Sequence, residues 1–397
     1  MLHDPARHEP LTSTLWNERA VRQTIDLIVR DSHARFSSDS YWPWHPRDLE
    51  PGDDPSQPAL PLYHGAAGVI WALRYLQDVG AIRTTERYTE HLPVLLERNR
   101  DWLSALSGNE HASFMMGDTP ILSMMQADTS SYAEELARLI EQNLQHPARE
   151  LMWGAPGTML TSWFLHRQNG EQRWADLFLR AARELKSQLE WSSDHACHYW
   201  RQSLYGRDST YLDAIHGFVA TAFVIIQGRS LLPATEWLEW QSIIANTVER
   251  TATREHGLVN WRPQLTDHGL PTLMQFCHGS PGFVICLAGF PAKALDSTLL
   301  SAGETAWIAG PLTKGSNLCH GTAGNGYAFL KLYRRTGDER WLARARAFAM
   351  HSIEQTRAEA EKYGHFRYSL WTGDLGVAIY LWNCLRGKAD FPTLDVF

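Results

Sequence analysis

The sequence predicts an all-α protein: an α/α toroid of seven outer and seven inner helices, built from seven helical-hairpin repeats. Three observations predict it. A short glycine motif recurs along the 397 residues. An apolar, helix-compatible run follows the motif. A longer amphipathic run precedes it.

The motif is clearest in His64-Gly65-Ala66-Ala67-Gly68, Trp153-Gly154-Ala155-Pro156-Gly157, Cys277-His278-Gly279-Ser280-Pro281-Gly282, Cys319-His320-Gly321-Thr322-Ala323-Gly324 and Thr372-Gly373-Asp374-Leu375-Gly376. Met116-Gly117-Asp118-Thr119-Pro120 and His216-Gly217-Phe218-Val219-Ala220 are degenerate copies. The lead glycines fall at 65, 117, 154, 217, 279, 321 and 373, with gaps of 52, 37, 63, 62, 42 and 52 residues. Self-similarity of this kind marks a repeat architecture.

The elements follow in order. Residues 11–32 carry the first outer helix, and the Pro- and Asp-rich residues 42–61 form a surface loop inside the first repeat. After Gly65, Val69-Ile70-Trp71-Ala72-Leu73-Arg74-Tyr75-Leu76 is an inner helix. Outer helices are expected over residues 86–106, 131–145, 173–189, 234–252 and 339–355. In the last, Leu342, Ala345, Phe348 and Ala349 recur at helical spacing. After Gly321, Tyr327-Ala328-Phe329-Leu330-Lys331-Leu332-Tyr333 is another inner helix. One such hairpin cannot bury its apolar face alone, and stacking against neighbours solves this. Strand signals are weak throughout. No linker-like stretch breaks the series, so residues 1–397 read as one domain; an open solenoid or two helical domains is the competing arrangement.

Composition narrows the function. Apolar residues make up 44% and charged residues 20%, which supports a large core and excludes global disorder. The seventeen tryptophans point to many packed aromatic contacts or an aromatic-lined cavity. A net charge of −7 argues against nucleic acid as the main partner. No apolar run is long enough to span a membrane, and the N-terminus lacks a signal peptide's apolar core. Five sparse cysteines suit a reducing compartment, and the expected location is cytoplasmic.

Two of those cysteines stand in a Cys-His-Gly triplet that occurs twice, 42 residues apart. Thiolate and imidazole are preferred zinc ligands. The repeat places Cys277, Cys319 and His320 before consecutive inner helices. Two thiolates and one imidazole leave a fourth position open, as a catalytic zinc requires. His278 shares the position of His320 but would close the site as a fourth ligand. It is read instead as supporting the ligands or touching substrate. Cys197, Cys286 and Cys384 read as packing residues.

His216 is equivalent by repeat to His278 and His320, and its ordinary pKa suits proton transfer at neutral pH. Asp213, three residues before it, is a partner that would orient it. Glu150 and Asp118 are carboxylates beside other turns, placed to orient a histidine, contact substrate or favour a helix N-terminus. His64 holds the same position in the first repeat, as a substrate contact or a turn-packing residue.

The stretch Lys314-Gly315-Ser316-Asn317-Leu318-Cys319-His320-Gly321-Thr322-Ala323-Gly324-Asn325-Gly326, with Cys277-His278-Gly279-Ser280-Pro281-Gly282, resembles the lanthionine synthetase C-like family. That family includes the nisin cyclase type and eukaryotic glutathione-binding members. The resemblance runs through all seven glycine motifs. It implies a toroid with one zinc on Cys277, Cys319 and His320, a proton-transfer histidine at His216 and an acidic neighbour at Glu150. It implies conjugate addition of a thiol to dehydroalanine or dehydrobutyrine, with a dehydrated precursor peptide or glutathione as partner and a dehydratase upstream. A zinc scaffold binding glutathione or a partner without turnover is the non-enzymatic alternative. Cys277-His278-Gly279 replaces the Cys-Tyr-Gly common in bacterial cyclases, and residues 270–275 lack the arginine usual there. Lys314 matches a lysine of the glutathione-binding branch, which implies contact with a carboxylate.

Overall fold

A computed structural model describes residues 2–105, 110–129, 131–266, 269, 271–291 and 293–397. Among the described residues, fourteen α-helices alternate as outer and inner partners of seven hairpins. The pairs are α1 (Glu18–Arg35) with α2 (Ala66–Asp78), α3 (Leu92–Ser104) with α4 (Thr119–Thr129), and α5 (Ala133–Asn143) with α6 (Ala155–Asn169). Then come α7 (Gln172–Ser187) with α8 (Phe218–Gln227), α9 (Ala234–Thr251) with α10 (Ser280–Leu287), α11 (Asp296–Ala309) with α12 (Thr322–Thr336), and α13 (Glu339–Tyr363) with α14 (Asp374–Arg386).

The division follows from the side chains. Outer α7 buries Trp174, Leu177, Phe178, Ala181 and Leu185, one stripe at helical spacing, and leaves its other face wet. Inner α10 is buried at all eight positions. Six tryptophans lie fully buried in this core. Trp200 and Trp261, on the segments that lead into inner helices, donate their indole N–H to outer-helix carbonyls, Leu185 O at 2.7 Å and Val248 O at 2.9 Å.

The motif glycines are needed for space. In Gly68, Gly157, Gly282, Gly324 and Gly376, a Cβ would fall 1.9–2.3 Å from the carbonyl oxygen of Leu62, Leu151, Phe276, Leu318 and Leu370 respectively. Each of those carbonyls lies six residues earlier, so the turn folds directly onto the first coil of its inner helix. Only one lead glycine, Gly279, also needs a positive φ, of 110°.

The ring closes, and a belt of backbone hydrogen bonds runs round it just before the lead glycines. Cys277 N donates to Cys319 O (3.0 Å), Cys319 N to Trp371 O (3.0 Å) and Trp371 N to Tyr63 O (3.1 Å), joining the last repeat to the first. Tyr63 N donates to Met115 O (3.1 Å), Met115 N to Met152 O (3.2 Å) and Leu151 N to Ile215 O (3.1 Å). Helices α1 and α2 pack on α14 at the same closure, while α8 packs on α10 at the remaining seam.

The structure departs from the sequence expectation at helix boundaries and in three hairpins. Helix α1 starts at Glu18 rather than at residue 11, because Asn17 caps it through Ala20 N (3.0 Å), while Thr12 and Thr14 reach across to Glu354. The expected end of the second outer helix at Leu106 lies outside the described residues. Three antiparallel hairpins interrupt the helices: β1 (Glu190–Ser192) with β2 (Cys197–Tyr199), β3 (Gln202–Leu204) with β4 (Arg207–Ser209), and β5 (Ala252–Glu255) with β6 (Leu258–Trp261). They fill the two longest gaps in the glycine spacing.

Candidate metal centre and its histidine–carboxylate pairs

Cys277 and Cys319 hold equivalent positions, two residues before a lead glycine, so the belt bond between them sets the two turns side by side. Around it, Asn325 in α12 donates to Met274 O (2.9 Å), and Asn260 in β6 holds Leu273 O (2.9 Å) and Ser280 N (2.7 Å). The first turn is thereby tied to the hairpin behind it and to the helix of the next repeat. Asn317 accepts from His320 N at 3.0 Å and fixes the second turn.

The result is one cluster. The ligand atoms of Cys277, Cys319 and His320 lie within 4.8 Å of one another. Two sulfurs and one imidazole nitrogen at that spacing fit zinc, with room for one exogenous donor. From outside the cluster, Tyr63 Oη donates to Cys319 Sγ (3.0 Å) and Gln275 Nε2 to Cys277 Sγ (2.9 Å). Cys319 is drawn well below the ordinary thiol range, chiefly by the hydrogen bond from the Cys277 thiol and further by His320 and Tyr63, against its burial. Cys277 is pushed up by the same bond and by burial. All five cysteines are free thiols. Cys286 and Cys384 are buried, and burial raises their pKa values.

Beside the cluster stands His216. Its Nδ1 is 2.9 Å from Glu150 Oε2, and Glu150 is fully buried. The carboxylate is aimed by the Met152 and Trp153 amides, at 2.8 and 2.6 Å. Burial disfavours the charged ring, but the Glu150 hydrogen bond and charge, with Asp213 and Cys319, outweigh it and raise His216 to about 8.

Asp213 sits where the belt is interrupted. Its Oδ1 takes the amides of Ile215 (2.9 Å) and His216 (2.7 Å). Its Oδ2 lies 2.8 Å from His278 Nδ1, close enough for an ion pair but not aligned as a hydrogen bond. Asp213 therefore orients His216 through the backbone and faces His278 with its side chain. The Tyr211 ring lies 5.7 Å from that of His216 and 6.1 Å from that of His278. Tyr205, at the β3–β4 tip, lies edge-on to His216 at 6.2 Å and shares a 3.2 Å hydrogen bond with Trp153.

The remaining sequence candidates lie elsewhere on the turns. Asp118 is buried and spends its carboxylate on Asn99 (2.9 Å), Arg100 (3.2 Å) and His111 (3.1 Å), in a network at the start of α4. His64 packs against Trp44 and Tyr63, and its burial lowers its pKa. Above it, residues 42–61 are anchored by Asp48, which pairs with Arg367 (2.7 Å) and Thr372 (2.8 Å). Lys314 is exposed, and its carbonyl accepts from Arg47 at 2.6 Å. Sequence reasoning missed Tyr63, Gln275, Tyr205 and Tyr211. Two of them had a signal: Tyr63 is the repeat equivalent of the two cysteines, and Gln275 stands four residues before its lead glycine, as Glu150, Asp213 and Asn317 do.

Among the described residues, no helix is long and apolar enough to cross a membrane. The chain is 27% identical over 261 residues to the Glutathione S-transferase LANCL1 of Danio rerio, a match spanning 62% of each. It is 38% identical over 135 residues to the LanC-like protein GCL1 of Arabidopsis thaliana, covering 31% of this chain and 30% of that one. The chain thus spans less than two thirds of the length of these relatives. Among solved structures it matches nisin cyclase with a TM-score of 0.58 and 15% identity, covering 93% of this chain and 99% of that one, which supports the shared toroid. The family model for lanthionine synthetase C-like proteins matches residues 59–396, and with its seven glycine turns and their Cys-Cys-His cluster the chain belongs to that family.

Proposed function

We propose that this protein joins a thiol to a dehydroamino acid, forming a thioether, at a zinc held by Cys277, Cys319 and His320. One observation carries the reading: a three-ligand Cys-Cys-His cluster with a protonatable histidine–carboxylate pair beside it. When bound, zinc supplies a Lewis acid that keeps an exogenous thiol in its thiolate form near neutral pH.

The chain's own residues do the rest. Addition of sulfur to the β-carbon of dehydroalanine or dehydrobutyrine moves the π pair towards the α-carbon, which then needs a proton. His216 carries one at neutral pH, its Nδ1 anchored on Glu150, and its Nε2 delivers it. Asp213 fixes the His216 backbone, and Tyr211 spaces the two rings. His278, facing Asp213, contacts the substrate on the opposite side. His64 and Lys314 contribute further substrate contacts at the mouth, while Asp118 supports its own turn. The thiol is a cysteine of a dehydrated precursor peptide made by a partner dehydratase. The free thiols suit a cytoplasmic setting.

A second reading takes glutathione as the thiol. His278 and Lys314 favour it, as does the similarity to the Danio rerio glutathione S-transferase.

The test uses zinc-loaded wild type and His216→Ala with a dehydrated cysteine-containing peptide, with and without glutathione. Cyclisation leaves the peptide mass unchanged but protects its thiol from alkylation, and glutathione addition raises the mass. His216→Ala keeps its zinc and forms thioether about 10²–10⁴-fold more slowly. Wild-type rates in that variant would remove the acid role.

A further inference from the structure

The two ligand sulfurs raise a chemical problem. An enzyme that adds thiolates to an electrophilic alkene exposes its own ligand thiolates to the same electrophile. Cys277 and Cys319 are 8% and 4% exposed, at the cluster where substrate must arrive. Their attack would form a sulfur–β-carbon bond, move the π pair to the α-carbon and take up one proton, and the modified sulfur would be spent as a ligand.

Each of these sulfurs, however, has its own donor. Tyr63 Oη donates to Cys319 and Gln275 Nε2 to Cys277. The donors come from different places. Tyr63 arrives from the first repeat, beyond the intervening Trp371 against which its ring stacks at 6.1 Å. Gln275 sits two residues before its cysteine, only 4% exposed, with its Oε1 left buried and unpartnered. An amide that pairs its N–H with sulfur while leaving its oxygen unpaired is oriented for an anionic neighbour. Neither backbone amide helps, since Cys277 N and Cys319 N are committed to the belt.

We propose that Tyr63 and Gln275 are positioning residues that make the site chemoselective: they draw charge from the two ligand sulfurs so that only the incoming thiol reacts. A hydrogen bond to an anionic sulfur lowers its nucleophilicity, just as outer partners tune metal ligands generally. The inference rests on the thioether-forming reading of the site.

The experiment treats zinc-loaded full-length wild type, Tyr63→Phe and Gln275→Leu with iodoacetamide, whose iodide leaves as a ligand sulfur gains the new carbon bond. Mass spectrometry reads each cysteine. Tyr63→Phe is expected to alkylate about tenfold faster at Cys319 with Cys277 unchanged, and Gln275→Leu the reverse, the scale of one hydrogen bond to a charged group. Cobalt-loaded samples give a second readout: loss of a donor shifts the sulfur-to-cobalt charge-transfer band to lower energy. If either variant fails to fold, the other and its cobalt spectrum decide. Equal alkylation in wild type and variants, with unshifted bands, would overturn the proposal. Site-selective gains in the variants, with a wild-type protein that forms no thioether from the dehydrated peptide, would overturn the functional reading and leave the donors' effect on sulfur standing.

Discussion

Glu150 decides what His216 can do. A buried imidazole left alone would hold its proton less tightly than in water. The Glu150 contact reverses this and brings the ring to about 8. The sign follows. The stabilisation is fully present below the ordinary value of 6.5 and is lost as pH rises through about 8, and it amounts to about 2 kcal/mol. The acid form is also the reactive form, so activity falls above that pH. Glu150→Gln moves the alkaline limb of the rate profile below the ordinary 6.5 and lowers the rate at pH 7.5 about tenfold. A profile that stayed at about 8 would show that another group sets the limb. At this scale the sequence was partly legible. Cys277, Cys319 and His320 stood out because they repeat. Tyr205 and Tyr211 carry no motif and acquire their roles only when separate turns meet.

At the scale of the element, the turn before each inner helix is the working unit. Its second glycine lies on the carbonyl six residues back, and in α12 a Cβ on Gly324 would sit 1.9 Å from Leu318 O. Gly324→Ala is expected to cost about 3 kcal/mol, because backbone and not a flexible side chain must yield. It should also weaken metal binding, since the same turn carries Cys319 and His320. Urea denaturation with a metal titration checks both, and an unchanged midpoint would contradict the close-packing argument. These turns were readable because spacing and glycine identity coincide. The three β-hairpins were not. Their tips are Tyr205-Gly206 and His256-Gly257, with both residues at positive φ, and Ala196 at the third. Such turns usually announce themselves as Asn-Gly or Asp-Gly. Their strands, three or four residues long, leave little alternation to detect.

The whole molecule is a closed ring, fastened where Trp371 N meets Tyr63 O and pinned from inside by the last residues described. Lys331, in the middle of inner α12, is 1% exposed and pairs with Asp395 at 2.5 Å. Asp395 also takes Gln227 from α8 (2.9 Å) and the Phe391 amide (2.6 Å). Asp395→Ala would strand a buried ammonium and is expected to cost about 3–5 kcal/mol, with Lys331→Met in the same chain recovering part of it. We propose that residues 1–397 form a single domain, so both variants should lose stability in one cooperative calorimetric transition. Two separate transitions would argue for independent units. Closure itself lay beyond periodicity, because a repeat pattern is the same in an open solenoid and in a ring. The bond and the helix packing between last and first repeats distinguish them. The ring matters for function because it brings Tyr63 to Cys319 and sets the Cys-Cys-His cluster beside His216. The most direct measurement is metal content of the purified protein, prepared without chelator, for wild type beside Cys319→Ala. About one zinc per chain is expected in the wild type and none in the folded variant. A folded wild-type protein that neither carries zinc nor takes it up would contradict it.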